Sequence, residues 1–355
     1  MDPAHLLALT EAFRGKRIAV IGDVVADEFV YGRVARVSRE APVLILEYDS
    51  TEVVPGGAGN AANNVAALGG FVALVAAIGR DEPGRRVVRA LHRRVDAAHL
   101  VRARGRATAV KTRILAGGVH SAKQQVVRID RAVAQAIDPA TRAAIERAAL
   151  RAVQEADAVL VSDYGSDLVT PALVRTLRAS LRRAGHPIPV LIDSRYRLLE
   201  YTGVTISTPN QSEVEEALGV RIGDNLRMLE RAGRELLDRT RAQAVLITRG
   251  SRGMALFQRK APTVHIPISG SESIVDVTGA GDTVVSTVAL ALGAGGSFEA
   301  SARLANYAGG LVVMKRGTAT VSGDELWEAI QQESQGTRTP ARRGAGSRKG
   351  RATIG

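Results

Sequence analysis

Four short apolar runs, each closing on a polar residue, constrain this chain more than any other feature. They are Arg17-Ile18-Ala19-Val20-Ile21-Gly22-Asp23, Ala158-Val159-Leu160-Val161-Ser162-Asp163, Val190-Leu191-Ile192-Asp193 and Ala244-Val245-Leu246-Ile247-Thr248. Runs of this length without polar alternation fit strands buried on both faces. Helix-like segments lie between them, at 142–155, 171–184 and 225–240. Strand, helix, strand at this spacing predicts a doubly wound, mostly parallel α/β sheet with helices on both faces. The polar ends Asp23, Asp163, Asp193 and Thr248 then converge on the carboxyl edge, where open sheets of this kind bind ligands.

Two segments break the rhythm. Residues 29–49 and 108–130 are β-rich and lack intervening helices, which predicts a small β layer projecting as a lid over that edge. Residues 335–355 are rich in Gly, Arg, Ser and Thr and predict a disordered basic tail after one domain spanning 1–334. That tail holds six Lys or Arg and no acid, so it accounts for half of the formal charge of +12. A moderately basic body suits an enzyme of anionic substrates as well as it suits a nucleic-acid binder. With aromatics at 3%, a stacking platform for single strands is excluded, and nucleic acid is not the expected partner. The absence of cysteine excludes disulfides and thiolate metal sites and fits a reducing, cytoplasmic setting. No apolar stretch is long enough for a membrane span.

The densest chemistry lies in Asp276-Val277-Thr278-Gly279-Ala280-Gly281-Asp282, just ahead of an apolar, small-residue helix. Glycines let backbone N–H groups close around an anion, and the helix N-terminus adds its positive dipole end. An acid in the first turn is placed to accept the proton of an attacking alcohol. In isolation the same residues describe a helix start at which Asp282 only caps.

Three further clusters accompany it. Pro55-Gly56-Gly57-Ala58-Gly59-Asn60, with Asn64 one turn on, allows close ligand approach and offers amide groups suited to sugar hydroxyls, or else is a Gly-rich turn with Asn caps. Asn210 and Glu213 place two oxygen ligands on one helix face, suited to Mg²⁺ through water, or else form a capping box. Thr248-Arg249-Gly250-Ser251-Arg252-Gly253 is a tight turn after a buried strand, either beside a nucleotide or an ordinary hairpin. A dinucleotide fingerprint and a Walker A sequence are both missing.

In this order the four motifs resemble the ribokinase/PfkB family of carbohydrate kinases, with Val277 where that family usually has Thr. The resemblance runs from about Arg17 to about Leu326. It implies a ribokinase-like fold, ATP as phosphoryl donor, Mg²⁺ and a homodimer. It also implies Asp282 as base beside the Gly279, Ala280 and Gly281 amides, and Asn210 and Glu213 at the metal. Thr248, Gly250, Gly253 and Asn306 are then expected at ATP, and Asp23, Asp27, Gly57, Asn60 and Asn64 at the sugar. Asp23 and Asp27 can equally be strand-end caps. Arg36, Lys111 and Arg113, in the lid segments, are candidates for gripping a sugar phosphate, with a solvated lid face as the alternative.

Gly22-Asp23-Val24-Val25-Ala26-Asp27, Arg36-Val37-Ser38-Arg39-Glu40-Ala41-Pro42-Val43 and Ser162-Asp163-Tyr164 resemble the heptose-7-phosphate kinase subgroup. That likeness implies phosphorylation of the anomeric hydroxyl of a heptose 7-phosphate. It also implies a stand-alone kinase, because no His-x-Gly-His motif is present. The chain departs from the subgroup at two lysines, replaced by Ser166 and Arg195. Other sugar or nucleoside kinases of the family, or a non-catalytic binding regulator, are the alternatives.

Overall fold

A computed structural model describes residues 1–117, 123–131, 136–269 and 275–336. All four apolar runs become strands of one nine-stranded sheet. Its order is Val264–Ile266, Met254–Gln258, Ala244–Thr248, Ile206–Ser207, Val190–Ser194, Ala158–Asp163, Arg17–Gly22, Phe71–Val75 and Val95–Asp96. Pairing is parallel except at the Met254–Gln258 and Val264–Ile266 end, where a hairpin turns back. Leu160 and Leu191 face a core shared with the helices Ala58–Ala67, Ala280–Gly293 and Phe298–Val312. On the opposite face Val161 and Ile192 meet Ile145 and Leu177 of the helices Pro139–Ala152 and Pro171–Arg183. Burial on both faces is why these strands carry no alternation.

The lid is a four-stranded sheet in the order Leu44–Gly57, Val24–Val37, Ala109–Gly117 and Gln124–Arg131. Its extent corrects the expected 29–49 and 108–130. Only Asp23 separates the core strand Arg17–Gly22 from the lid strand Val24–Val37, and the second lid strand runs on to Gly57. Residues 24–27 are buried, so the first lid strand starts without the alternation that marks a half-exposed strand. Pro55, Gly56 and Gly57 are poor strand formers held in place by pairing with Val24, Val25 and Ala26.

A second correction concerns the chain's end. The helix Gly323–Gly336 extends into the segment expected to be a tail, and 337–355 lie outside the described residues. Among the described residues no helix is long and apolar enough to cross a membrane.

Candidate active site

The helix Ala280–Gly293 starts at Gly279, whose φ of +79° is left-handed and whose Cβ, were there one, would lie 2.7 Å from Asn60 Nδ2. Glycine is therefore required there on both conformational and steric grounds. No side chain caps this helix, and a Cβ on Gly281 would meet nothing within 4 Å. The helix start thus presents its positive end and an open space to a ligand.

Asp282, in the first turn, is buried with 4% exposure. Asn60 Nδ2 donates to its Oδ2 at 2.8 Å and the Tyr164 hydroxyl to its Oδ1 at 3.2 Å. Burial pushes the carboxyl up to about 7; the Asn60 and Tyr164 hydrogen bonds and the Lys111 charge oppose that rise, and Asp27 adds to it. A carboxyl held near neutrality is matched to taking a proton at physiological pH.

Behind Asp282 the helices Ala58–Ala67 and Ala280–Gly293 are joined by a buried polar chain. Asn64 Nδ2 donates to Asn60 Oδ1 at 3.0 Å, and Thr283 Oγ1 donates to Asn64 Oδ1 at 2.9 Å. Ser286 Oγ closes the seam on the Ala61 carbonyl at 2.9 Å. Asn64 has no exposure and Asn60 has 1%. Both were expected at the sugar; neither lines the cavity under the lid, and instead Asn60 grips Asp282 and Asn64 orients Asn60.

Three cavities adjoin one another, and Asp282 lines the middle one. The first, about 360 Å³, lies beneath the lid and is lined by Asp23, Arg106, Lys111, Tyr164, Ser166 and Arg195 among others. A second, about 210 Å³, holds Asp193, Asn210, Glu213, Thr248, Gly281 and Asp282 and shares Tyr164 and Arg195 with the first. The third, about 150 Å³, is lined by Gly250, Gly253, Met254, Ile268, Val284 and Asn306 and shares Thr248 and Gly281 with the second. The result is a continuous cleft: a charged end under the lid, a polar middle, and an apolar end.

In the polar middle Asp193 is pushed well up by burial first and then by Asp282 and Glu213. Glu213 is raised as well, chiefly by burial. Neither has a salt-bridge partner among the described residues. Thr208 Oγ1, buried in the same cavity, has no hydrogen-bond partner. Carboxylates in mutual repulsion beside an orphaned hydroxyl suit a hydrated divalent cation. Among the described residues no three such groups lie close enough to hold a metal directly, so the fit is through water.

Asn210 and Glu213 form the capping box: Asn210 Oδ1 accepts from the Glu213 amide, and Glu213 Oε2 from the Asn210 amide, both at 2.9 Å. Both still line the polar cavity. Capping and cavity-facing are therefore compatible. The Thr248 turn is a hairpin connection in which Gly250 and Gly253 have φ of +57° and +74°. Asn306 lies in the apolar end with Nδ2 donating to the Pro267 carbonyl at 2.8 Å.

Asp23 is both a cap and a cavity wall. Its carboxylate accepts from the Tyr164 and Ser166 amides at 2.8 and 3.2 Å and from the Ser166 hydroxyl. Asp27 is paired with Arg113 at 2.6 Å, and Gly57, at φ +57°, backs onto the Asp23 carbonyl and the Tyr164 ring. Arg36 is exposed on the lid away from the cleft. Asp163 lines the polar cavity, but Arg197, Ser194, Tyr201 and the Gly165 amide take up its carboxylate. Site reasoning from sequence passed over Arg106, an arginine in a run of arginines, and gave no role to Tyr164, although its Asp163-Tyr164 pair was legible as a motif.

Comparison with known proteins gives the family and the fold. The model of the pfkB family carbohydrate kinase matches residues 16–324. The chain is 39% identical over 321 residues to the bifunctional protein HldE of Azorhizobium caulinodans, covering 89% of this chain and 64% of that protein. With the bifunctional protein HldE of Caulobacter vibrioides it shares 41% over 343 residues, covering 95% and 67%. The chain therefore spans about two thirds of the length of these relatives. The ribokinase of Arabidopsis thaliana complexed with ribose and ATP superimposes with a TM-score of 0.68 at 19% identity, covering 90% of this chain and 99% of that one. Phosphofructokinase-2 from Escherichia coli in complex with fructose-6-phosphate gives 0.68 at 17% identity, with the same coverage. At such identities these two structures establish a ribokinase-like fold.

Proposed function

The chain belongs to the pfkB family of carbohydrate kinases, and from that premise we propose that it phosphorylates a sugar that already carries a phosphate, with Asp282 as the base. The observation that carries the reading is that Asp282 lines the polar middle of the cleft and accepts from Tyr164, which is part of the wall shared with the charged cavity under the lid. An acceptor hydroxyl arriving from the lid side and a phosphoryl group at the helix N-terminus would then both come within reach of Asp282.

ATP occupies the other end, its base in the apolar cavity by Gly253 and Asn306 and its phosphates toward Thr248 and Gly281. The acceptor oxygen attacks the γ-phosphorus, its proton passes to Asp282, and the bond to the bridging oxygen breaks to release ADP. The Gly279, Ala280 and Gly281 amides with the helix dipole stabilise the charge on the transferring group. Asn210, Glu213 and Asp193 would hold Mg²⁺ through water, and the bound ion supplies charge neutralisation to the phosphates. Asp23 anchors the sugar end, while Asp27 and Gly57 shape the strand behind it.

The acceptor cavity carries Arg106, Lys111, Arg128, Arg131 and Arg195 against Asp23 and Asp130. That excess of cations supports an anionic acceptor. With the motif resemblance given above, D-glycero-D-manno-heptose 7-phosphate phosphorylated at its anomeric hydroxyl is the acceptor we favour. The test is ADP release from Mg-ATP with that heptose phosphate, fructose 6-phosphate, ribose, mannose and adenosine supplied separately. Turnover confined to phosphorylated sugars supports the reading, and the heptose phosphate is expected to give the highest kcat/KM. Turnover on ribose or adenosine alone removes the phosphate requirement, and ATP binding without any turnover favours a regulator.

A further inference from the structure

The two oxygens of Asp282 are held from different elements of the core. Oδ2 is held by Asn60, on the core helix Ala58–Ala67. Oδ1 is held by the Tyr164 hydroxyl, from the turn after the strand Ala158–Asp163. Tyr164 is also the wall shared by the acceptor cavity and the polar cavity. Its ring is fixed on one side by Gly57, where a Cβ would come within 3.5 Å. The ammonium of Lys111, on the lid strand Ala109–Gly117, lies 5.3 Å from the ring centroid. A chain of three side chains thus runs from the lid to the catalytic carboxylate.

The surroundings favour Lys111 as the deliberate member of that chain. Asp27 on the neighbouring lid strand is already paired with Arg113, and Asp130 with Arg128, so the nearby acids have other partners. Burial pushes the Lys111 ammonium down, and Arg128 and Arg195 add like charge beside it. The face of Tyr164 is what remains, and a desolvated cation over an aromatic ring is a directional contact.

We propose that Tyr164 is a positioning residue through which the lid, by way of Lys111, aims the Asp282 carboxylate at the acceptor hydroxyl. The inference rests on Asp282 being the base. It predicts that loss of either the hydroxyl or the ammonium misaims the same group, so the two losses do not add.

The experiment is a double-mutant cycle on the kinase reaction with Tyr164→Phe and Lys111→Met, with Lys111→Arg as the conservative partner. Each single variant is expected to lower kcat about tenfold or more, with the KM for ATP unchanged, because a misplaced catalytic group costs rate rather than nucleotide binding. The double variant should fall no further than the worse single, and Lys111→Arg should recover most of the rate lost in Lys111→Met. Additive losses, or a kcat unmoved by Tyr164→Phe, overturn the proposal. Thermal melting of all four proteins separates misaiming from misfolding, since Tyr164→Phe keeps the ring and its packing. Asp282→Asn is run beside them: if it turns over normally the base assignment itself fails, and if it is dead while the cycle is additive, only the lid coupling fails.

Discussion

The two ends of the cleft are made of different material. The proposed nucleotide end is shaped by glycines 250, 253, 281, 309 and 310 and by Met254, Ile268 and Val284, with no charged side chain on its wall among the described residues. The acceptor end is shaped by side chains, among them seven that carry charge. One end therefore selects by how close the backbone lets a ligand come, the other by charge placement. Adding atoms should injure the first, and removing charge should injure the second.

The sharpest break falls between the ends. Asp282→Asn should lower kcat by about a thousandfold or more, since a positioned base contributes roughly 10²–10⁴. ATP affinity should stay within a few-fold, as titration calorimetry would show. Normal turnover in this variant would falsify the base assignment.

Gly281→Val tests the nucleotide end. Among the described residues no atom lies within 4 Å of a Cβ at this position, so the melting temperature should hold while kcat/KM for ATP falls about a hundredfold through steric exclusion of phosphate. Gly279→Ala makes the contrast, because it meets Asn60 and a left-handed φ and should lower the melting temperature as well.

The pH dependence follows from the buried carboxyl. With Asp282 pushed up to about 7, the ionised base is lost below that pH, and kcat should fall about tenfold per pH unit on the acid side. For stability the sign is opposite. A carboxyl raised on folding stabilises the fold below its unfolded value of 3.8, and that contribution is lost as pH rises through about 7. Asp282→Asn should therefore melt higher than the unaltered chain at pH 8, with the gap shrinking toward pH 4.

At the acceptor end Arg106→Ala should raise the KM for a phosphorylated sugar about tenfold and leave the KM for ATP alone, because a charge-assisted contact is lost on one side only. The smallest effect is expected from Arg36→Ala. Exposed on the lid and outside the cavity wall, it should change either KM by less than about twofold, within the range of ordinary surface substitutions.

Much of the fold was legible because both-face burial leaves an unmistakable trace. The runs at Arg17–Gly22, Ala158–Asp163, Val190–Ser194 and Ala244–Thr248 could be nothing else at their length. The short strands Ile206–Ser207 and Val95–Asp96 were not legible, since two residues carry no period. At the site, the glycine-acid motif was readable because a helix start needs those residue types whatever surrounds it. Asn60 and Asn64 were readable as polar residues but not as a relay. Nothing in their spacing shows that Thr283, 219 residues from Asn64, completes it.

By itself, the sequence determined the α/β alternation, the gathering of Asp23, Asp193 and Thr248 at one sheet edge, and the glycine turns that open that edge to an anion. These depend on local propensity and burial pattern, which a residue's near neighbours set. The tertiary structure alone decided which acid is raised toward neutrality, which arginines line the cavity under the lid, and that Tyr164 stands between Lys111 and Asp282. Those properties depend on desolvation and on contacts between residues more than fifty positions apart, and neither quantity is written in the order of residues along the chain.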